Sequence, residues 1–513
     1  MINFQKLKYT LFMLLSTTLL ALPVQATGLW EAFDSWVGNL NGVIAGVFFF
    51  NVLGFIDGAN LPLAVAWLVA GAVFFTVRFG FLPFKIFKHA IKVTAGRYDE
   101  GDDEGEVTHF QALAAALSAT VGLGNIAGVA IAVSIGGPGA TFWMIIAGLL
   151  GMSSKMAECT AAQMFRRIRP DGKVMGGAME YLWRGIGKGE SSGSKIGKFL
   201  AFAFCILCVL ASLGGGNAFQ VNQSMHAFND SFPYLVDHPW IYGIIMAVCV
   251  GVVIIGGIKS IAKTAEKIVP FMCGLYVAAC LFILIRHFGA IPDAFGIIIS
   301  NAFNFDAGFG GFIGVLVMGF QRAAFSNEAG IGSAAIAHSA AKTRYPAREG
   351  VVATLEPFID TIVVCTMTAL VIVITRAYEN PAYAEIIASK QGSVLTAQAF
   401  AEEISWFPYV LSVAIVLFAY STMISWSYYG ERCWTFIFGE KWSMIYKIGF
   451  IAVIILSTLS SATNVLDFSD LMLLGMAFPN ILGLYFMHNK LAKELGGYYK
   501  KLKKGEFKEI KKV

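Results

Sequence analysis

The sequence has few charged residues for its length. Asp, Glu, Lys and Arg make up 14% of its 513 residues, whereas a soluble globular chain carries about 25%. Hydrophobic residues reach 57%, and the mean hydropathy is +0.67. This composition excludes a soluble domain and predicts an all-α polytopic membrane protein embedded in the lipid bilayer. The net charge of +5 reflects the basic loops of such a protein and gives no indication of nucleic-acid binding.

The sequence also lacks the features of several other protein classes. It has no H-E-x-x-H zinc motif and no Walker-type phosphate loop, and long hydrophilic loops are missing. The eight cysteines lie within or at the ends of apolar segments, which argues against a disulfide framework. Cys205 and Cys208 form a C-x-x-C pair without a second half, so no zinc or redox site is predicted. We therefore expect neither an enzyme nor an organic cofactor.

Residues 1–26 have the pattern of a cleaved signal peptide. Lys6 and Lys8 precede an apolar core, and residues 24–26 fit a small-x-small cleavage site. An uncleaved signal anchor is the alternative. Residues 27–60 are apolar but interrupted by polar side chains. We interpret them as an interfacial segment on the outer side, with a full membrane span as the alternative.

Eleven apolar segments are predicted to cross the membrane. The first, 61–78, belongs to a unit at 61–108 that comprises an extra transmembrane helix and a cytoplasmic loop. The other ten lie at about 109–135, 138–165, 197–222, 240–258, 268–287, 309–337, 349–375, 405–430, 441–461 and 465–487. Each segment is close to the length that an α-helix needs to span the hydrocarbon core.

The distribution of Lys and Arg predicts the orientation of the chain. The loops on one side and the basic tail at 488–513 hold thirty-one of these residues. The loops on the other side hold three, Arg286, Arg376 and Lys390. Because cytoplasmic loops carry the excess of Lys and Arg, the N-terminus is predicted outside and the C-terminus inside. The tail is expected on anionic lipid headgroups or simply in solvent.

The ten later spans divide into two units of five. The first unit is 109–287, the second is 309–487, and an outer loop at 288–308 joins them. An odd number of spans gives the two units opposite orientations in the membrane. Such inverted repeats are typical of secondary transporters, which bind their substrate at the interface between the repeats.

The first helix of the first unit is interrupted. Within residues 118–130, three glycines, Gly122, Gly124 and Gly128, surround the polar Asn125. Unpaired peptide groups are costly in hydrocarbon, so a broken helix persists only where something occupies the freed groups. We predict a break that lines a binding cavity. The alternative is a glycine-rich face that allows close helix packing.

The first helix of the second unit shows a matching interruption. Residues 319–333 are polar at mid-membrane and contain Gly330 and Gly332. Arg322 and Glu328 lie in the same stretch and are expected to be close enough to pair. The first and sixth core helices are thus both predicted to be broken. Opposed half-helix ends suit the two charges of an amino acid, and freed carbonyls suit Na⁺.

Polar side chains on other helices add candidate ligands. Ser421, Thr422 and Ser425 cluster in the eighth core helix beside Trp426. Hydroxyls in membrane helices often bond only to their own carbonyls, which is the alternative. Asn217 and Gln220 in the third core helix either line the cavity or bond between helices.

Two pairs of ionisable residues lie within predicted spans. Lys155 and Glu158 are spaced i, i+3 in the second core helix and are interpreted as structural or as part of a cytoplasmic gate. Glu356 and Asp360 lie one turn apart in the seventh core helix. A proton-relay role for this second pair stays open.

Four motifs resemble those of the bacterial alanine or glycine:cation symporter family. They are Gly122–Gly128 (GLGNIAG), Gly136–Gly139 (GGPG), Ser326–Gly330 (SNEAG) and Ser425–Cys433 (SWSYYGERC). The resemblance runs from about 61 to 490. It implies the five-plus-five inverted-repeat fold of neurotransmitter:sodium symporters, preceded by one extra helix, and a place in the bacterial inner membrane.

The resemblance also implies Na⁺-coupled uptake of alanine, with glycine or serine as further substrates. The implied Na⁺ ligands are the carbonyls of Ser118, Val121 and Phe418 and the hydroxyls of Ser421 and Thr422. The substrate carboxylate is expected at the amides of residues 122–125. The expected substrate-binding residues are Gly122, Gly124, Asn125, Asn217, Phe320, Gln321, Phe325, Ser326, Asn327 and Trp426. Of these, Phe320, Phe325 and Trp426 would enclose the small side chain of the substrate.

Two rival transport functions remain. A channel would need a continuous polar stripe or a charged ring, and the internal inverted repeat argues against it. A proton-coupled amino-acid permease of the same fold would replace the ion with a cation such as lysine, or omit the hydroxyl pair. The presence of Ser421 and Thr422 therefore favours Na⁺.

Overall fold

A computed structural model describes residues 29–99, 103–170, 172–186, 194–232, 237–304, 308–403 and 406–510. The predicted signal peptide, residues 1–26, lies outside the described residues. Most of the described chain is helical. Two short strands, β1 (Arg167–Ile168) and β2 (Val174–Met175), pair in antiparallel register.

The helices follow one another along the chain with short connections. In order they are α1 (Leu29–Phe48), α2 (Leu63–Arg78), α3 (Leu82–Thr94), α4 (His109–Thr120), α5 (Gly124–Gly136), α6 (Ala140–Phe165), α7 (Ala178–Gly185), α8 (Lys195–Ser231), α9 (Pro239–Ile254), α10 (Gly257–Arg286), α11 (Ile291–Ala302), α12 (Gly308–Asn327), α13 (Ala334–His338), α14 (Pro346–Thr375), α15 (Ala384–Ala388), α16 (Gly392–Ala401), α17 (Phe407–Phe438), α18 (Ser443–Leu456) and α19 (Ala462–Lys503). Single 3₁₀ turns lie at Phe288–Ala290, Ala377–Glu379, Pro381–Tyr383, Glu440–Trp442 and Ser457–Leu459.

The apolar helices confirm the prediction of an all-α polytopic membrane protein. Within the described residues, eight helices are long and apolar enough to cross a membrane, or up to ten if each of two bent pairs forms one span. The count of eleven spans stays a prediction. It depends on α9, whose 16 residues extend about 24 Å at 1.5 Å per residue, less than a bilayer core.

The two predicted repeat units contain the same order of helices. In each unit a broken helix (α4 with α5, or α12 with α13) precedes a long helix (α6 or α14). A second long helix (α8 or α17), a shorter one (α9 or α18) and a third long one (α10 or α19) then follow. The broken helices thus take equivalent places in the two units, as the break pattern in the sequence predicts.

The helix α6 packs against both α12 and α14 through glycines. A Cβ added at Gly319 in α12 would lie 2.6 Å from the Ala140 carbonyl, and one at Gly350 in α14 would lie 2.7 Å from the Met156 carbonyl. Glycine therefore sets the spacing of these helices, as in other membrane bundles where small residues allow close approach. This spacing places α14 beside both broken helices.

Two segments, α3 and the end of α19, differ from the sequence interpretation, whereas α1 leaves both interpretations of residues 27–60 open. The helix α3 occupies part of the predicted cytoplasmic loop and bends by 81° from α2. The helix α1 is continuous from Leu29 to Phe48 and packs along α19, where Asn41 Nδ2 donates to the Asn464 carbonyl at 3.1 Å. The helix α19 continues to Lys503, well into the predicted tail. Long polar helix ends carry too few apolar residues to stand out in a search for membrane spans.

The close contact at Gly350 generates a stability prediction. A Cβ there would also lie 2.0 Å from Thr160 Oγ1, so Gly350→Ala should destabilise the protein by about 1–3 kcal/mol through overpacking. The measurement is the apparent Tm of the purified protein in detergent. Gly274→Ala in α10 is the control, because nothing lies within 4 Å of a Cβ at that position. Equal Tm values for the two variants would contradict the packing argument.

Candidate functional site

The first break separates α4 from α5 and redirects three backbone amides. The two helices are bent by 51° relative to each other. The Gly122 amide donates to Thr120 O at 2.9 Å and to Asn125 Oδ1 at 2.9 Å. The Leu123 amide donates to Gln220 Oε1 of α8 at 3.2 Å. Side chains thus replace the carbonyls that a regular helix would offer to these amides.

This redirection frees carbonyls at the end of α4. In a regular helix, the carbonyl of Ser118 would accept from the amide of residue 122, and that of Val121 from the amide of residue 125. The Asn125 amide instead donates to Gly122 O at 3.2 Å, and Val121 leaves the helical conformation with ψ 83°. Two of the carbonyls predicted to bind Na⁺ are therefore released from the ladder of α4.

The second break lies between α12 and α13. Glu328 adopts a left-handed conformation with φ +57°, and Gly330 and Gly332 have φ +92° and +84°. A non-glycine residue in this region is uncommon and is strained unless its surroundings hold it there. Here Asn327 Oδ1 accepts from the Ala329 amide at 2.9 Å. This polar side chain caps the broken helix, as Asn125 does in the first break.

The carboxylate of Asp360 in α14 joins the two breaks. Its Oδ1 accepts from Asn125 Nδ2 at 2.6 Å, and its Oδ2 accepts from Ser326 Oγ at 2.9 Å. Thr361 donates to the same Oδ2 at 2.7 Å and accepts from Asn327 Nδ2 at 2.8 Å. Asp360 is fully buried. The sequence marked it as an intramembrane carboxylate but gave no sign of its contact with both breaks.

The helix α17 brings the predicted hydroxyls against the first break. Ser118 Oγ donates to the Ser421 carbonyl at 2.7 Å, and Ser421 Oγ donates to the Phe418 carbonyl at 3.0 Å. The Thr422 hydroxyl is buried and has no hydrogen-bond partner among the described residues. A Cβ added at Gly122 would lie 2.3 Å from it. The five residues predicted as the Na⁺ site therefore lie where α4 ends against α17.

Aromatic side chains close the space around the breaks. Trp426 Nε1 donates to Glu328 Oε1 at 2.9 Å, and the indole packs so closely on α8 that a Cβ at Gly216 would lie 2.4 Å from it. Phe325 packs edge-on against Phe219 of α8 with ring centroids 4.9 Å apart. Each of these side chains is at most 5% exposed, so they bury the two breaks inside the bundle.

Gly124 and Ser326 place the two breaks in direct contact. A Cβ added at Gly124 would lie 3.1 Å from the Ser326 Cα. The predicted substrate residues Gly122, Gly124, Asn125, Phe325, Ser326, Asn327 and Trp426 are thus gathered around the two breaks. The backbone of one broken helix approaches the other with no side chain between them.

Three other predicted substrate residues contact neighbouring helices instead. Asn217 Nδ2 donates to the Phe450 carbonyl of α18 at 2.8 Å, and Gln321 Nε2 donates to Asp470 Oδ2 of α19 at 2.8 Å. Phe320 faces Trp143 of α6, with 6.4 Å between ring centroids. In α8 it is Gln220, not Asn217, that reaches the first break. Sequence spacing does not distinguish these two positions, because both lie on a helix buried on several sides.

The expected pairing of Arg322 with Glu328 is wrong. Arg322 pairs with Asp470 of α19 and lies over the Phe325 ring, 5.3 Å from its centroid. Glu328 accepts from Trp426 and from Ser333. The prediction placed the two residues together only because both lie in the same broken stretch, and six residues along a helix separate them onto different faces.

A chain of buried charged side chains runs from α13 to the start of α4. His338 contacts Glu349 through Nδ1 and Glu356 through Nε2, both at 2.5 Å. Glu349 also contacts His109 at the start of α4, and Lys155 Nζ of α6 donates to Glu356 Oε2 at 3.1 Å. All five side chains are at most 2% exposed. Lys155 is therefore paired across helices.

Glu158, its predicted neighbour, makes a different contact. It accepts from Asn480 Nδ2 of α19 at 2.8 Å, and the same Asn480 Nδ2 donates to the Gly330 carbonyl of the second break at 2.8 Å. The two ionisable residues of α6 thus connect this helix to α14 and to α19. Buried charges of this kind are stable only with partners. Here each charged residue has its partner on a different helix.

The fold and the site together define a class of membrane protein. A helical bundle with two equivalent broken helices, whose freed backbone groups face an enclosed polar site, is the architecture of secondary transporters. Similarity to known proteins narrows this class to one family. The model of the sodium:alanine symporter family matches residues 46–512, and the chain belongs to that family. It is a multi-pass membrane transporter and not an enzyme, and the resemblance noted in the sequence is confirmed.

Individual relatives cover nearly the whole chain. The sodium/alanine symporter AgcS of Methanococcus maripaludis is 39% identical over 87% of this chain and 96% of its own length. The amino-acid carrier protein AlsT of Bacillus subtilis is 34% identical over 89% of this chain and 94% of its own length. The solved structure of MhsT in complex with L-phenylalanine is 14% identical, with a TM-score of 0.47, and covers 76% of this chain and 99% of that chain.

The contact of Gly122 with Thr422 generates a binding prediction. Gly122→Ala would place a methyl group on the buried hydroxyl and separate α4 from α17, so if the protein binds alanine with Na⁺, that binding should fall by at least about tenfold. Gly128→Ala is the control, because nothing lies within 4 Å of a Cβ at that position. Scintillation proximity assays on the purified proteins measure both. Unchanged binding in Gly122→Ala would mean that the contact has no role in the site.

Proposed function

We propose that this protein is a Na⁺-coupled symporter that takes up a small neutral amino acid by alternating access. Alanine is the proposed substrate, with glycine or serine as further candidates. The family and the name of the relative AgcS support sodium and alanine as the transported pair. The geometry of the two breaks supports the binding sites for both.

The observation that carries the Na⁺ proposal is the unpaired hydroxyl of Thr422. It is 1% exposed and has no partner among the described residues. An unsatisfied buried hydroxyl costs about 1–3 kcal/mol unless a ligand binds it. The released carbonyls of Ser118 and Val121 lie at the adjoining end of α4. Carbonyl and hydroxyl oxygens of this kind are the ligands that a coupling Na⁺ takes in broken-helix transporters.

The amino-acid proposal depends on the facing ends of the broken helices. The amides of Gly122 and Leu123 are held by the side-chain oxygens of Asn125 and Gln220. A substrate carboxylate would displace these side-chain oxygens and accept from the two amides at the positive end of α5, where the helix dipole favours an anion. Phe325 and Trp426 limit the remaining space. Their close packing on α8 favours a substrate with a small side chain.

Coupling requires that each ligand binds more tightly when the other is present. The first break provides a direct route for this coupling. Its freed carbonyls would hold Na⁺, and its amides would hold the substrate carboxylate, so either ligand stabilises the same bent backbone. On this segment the proposed ligands of both sites lie within six residues of chain, from 118 to 123, which makes independent movement of the two sites unfavourable.

Alternating access requires opposite ends of the bundle to open in turn. The Arg322–Asp470 pair joins α12 to α19 on one side of the breaks, and the His109–Glu349 contact joins α4 to α14 on the other. We propose that these two contacts separate in opposite states. By the distribution of Lys and Arg, the His109 side faces the cytoplasm and the N-terminus lies outside the bacterial inner membrane.

Proton coupling is the second candidate because a carboxylate joins the two breaks. Asp360 contacts Asn125 and Ser326, and protonation would remove its charge from the centre of the site. Intramembrane carboxylates serve as proton relays in other transporters. A proton-coupled permease would therefore use Asp360 where a Na⁺ symporter uses Thr422.

Uptake into proteoliposomes separates the two functions. We expect labelled L-alanine to accumulate under an inward Na⁺ gradient at equal pH on both sides, and not under an inward proton gradient without Na⁺. Accumulation under the proton gradient alone would instead favour coupling through Asp360. Accumulation under neither gradient would contradict alanine as the substrate.

Substitution of Thr422 tests the ion site itself. Thr422→Ala removes one ligand, and its loss should raise the Na⁺ concentration for half-maximal uptake by about tenfold to a hundredfold, with less effect on the maximal rate. Ser427→Ala is the matched control, because the Ser427 hydroxyl already bonds to the Ile424 carbonyl of its own helix at 2.7 Å. If Thr422→Ala shows the Na⁺ dependence of the wild type, the site must lie elsewhere.

A further inference from the structure

The helix α3 presents one face of lysine and apolar side chains that is largely exposed. Its buried side, with Leu82, Ile86 and Val93, packs on the bundle. The opposite side carries Phe84 and Ile91, which are 44% and 50% exposed, and the lysines Lys85, Lys88 and Lys92. These five positions recur at intervals of three or four residues and therefore form one stripe along the helix. Phe81, which is 51% exposed, comes directly before the helix at the same end as Phe84.

The bend between α2 and α3 orients this stripe. The helix α2 is apolar and forms a candidate membrane span together with α3, but α3 turns away by 81°. A helix nearly perpendicular to a membrane span lies along the membrane surface. Helices in that position place aromatic and aliphatic side chains at the headgroup boundary and lysines among the headgroups. The stripe on α3 has both kinds of side chain.

One end of the stripe already holds an anionic group. The Glu509 carboxylate from the C-terminal segment lies 3.0 Å from Lys92 Nζ and 2.8 Å from Arg97 Nη1. The hydrogen bonds from Arg97 and Lys92 lower the pKa of the Glu509 carboxyl below its ordinary value, so it is ionised at neutral pH. This contact shows that the stripe and the loop after it accept an anion.

The other end of the stripe has no such partner. Lys85 and Lys88 are exposed, and no carboxylate of the described residues lies within ion-pair distance of either ammonium group. Phe81 and Phe84 lie directly before them, with their ring centroids 6.5 Å apart. Two exposed cations beside a pair of exposed aromatic rings fit a ligand with a negative head and an apolar body.

We propose that this stripe of α3 binds the headgroup of an anionic phospholipid. The phosphate lies between Lys85 and Lys88, and the acyl chains pass Phe81 and Phe84. Each lysine near a membrane surface contributes favourably to the attraction of anionic lipid, and the contribution is screened by salt. The binding itself does not depend on which amino acid or ion the protein transports. The predicted orientation of the chain in the membrane places this lipid in the cytoplasmic leaflet.

Native mass spectrometry of the purified full-length protein tests the proposal. Phosphatidylglycerol and phosphatidylcholine are titrated in turn, and the dissociation constant of the tightest lipid is measured. Lys85→Gln with Lys88→Gln should weaken phosphatidylglycerol binding by about 30-fold, from the loss of two lysine contributions, and leave phosphatidylcholine binding unchanged. Both side chains are exposed, so the variant should fold.

A matched control tests whether the effect is local. Lys259 and Lys263 in α10 are also exposed and lie four residues apart. Lys259→Gln with Lys263→Gln removes the same charge and should leave phosphatidylglycerol binding at the wild-type value. An equal loss in both double variants would overturn the proposal, because binding would then follow net charge alone. So would the same affinity for the two lipids in the wild type.

The Glu509 carboxylate provides a second test, in which a substitution should strengthen lipid binding. Glu509→Gln removes a carboxylate that competes for Lys92 and Arg97. Phosphatidylglycerol should then bind about fivefold more tightly, since at least one cation becomes available to the lipid. An unchanged or weaker affinity in Glu509→Gln would overturn a common site along the stripe.

Discussion

Every backbone amide and carbonyl inside a membrane protein needs a partner, and this constraint shapes the centre of the molecule. The chain breaks two helices in its interior and pairs the displaced amides with side chains. Asn125 and Gln220 hold amides of the first break, and Asn327 holds one of the second. The carbonyls of Ser118 and Val121 are released from the helical ladder. A break in a membrane helix is thus stable only where other groups satisfy its displaced backbone groups.

The same constraint applies to buried charge, and it connects the site to the rest of the bundle. Asp360 accepts hydrogen bonds from both broken helices, while Glu356, one turn earlier in α14, binds His338 and Lys155. The helix α14 therefore contacts the site with one carboxylate and the neighbouring helices with another. Breaking one buried contact leaves a charge without its partner, which is unfavourable. Such a network favours a few discrete arrangements over gradual deformation, as a two-state transport cycle requires.

Long, strongly periodic features were predictable from the sequence. The apolar segments, the equivalent breaks and the cluster of Ser421 and Thr422 depend on local composition, and the structure has a helix or a break at each. Partners across helices were not predictable. Arg322 pairs with Asp470, about 150 positions away, and Gln220 rather than Asn217 reaches the first break. Which side chain meets which partner depends on the rotation of each helix about its axis. The break in a helix changes that rotation for all residues that follow it.

The sequence by itself determined that this is a polytopic helical membrane protein with two broken helices and a family resemblance to alanine symporters. The length of an apolar segment and the spacing of its glycines are local properties, so they can be recognised in the sequence without knowledge of the packing. Only the tertiary structure decided that Asp360 joins the breaks, that Thr422 lies unpaired against Gly122, and that α3 turns along the bundle. These features arise where helices distant in sequence meet, and their contacts depend on the approach of whole helices rather than on neighbouring residues.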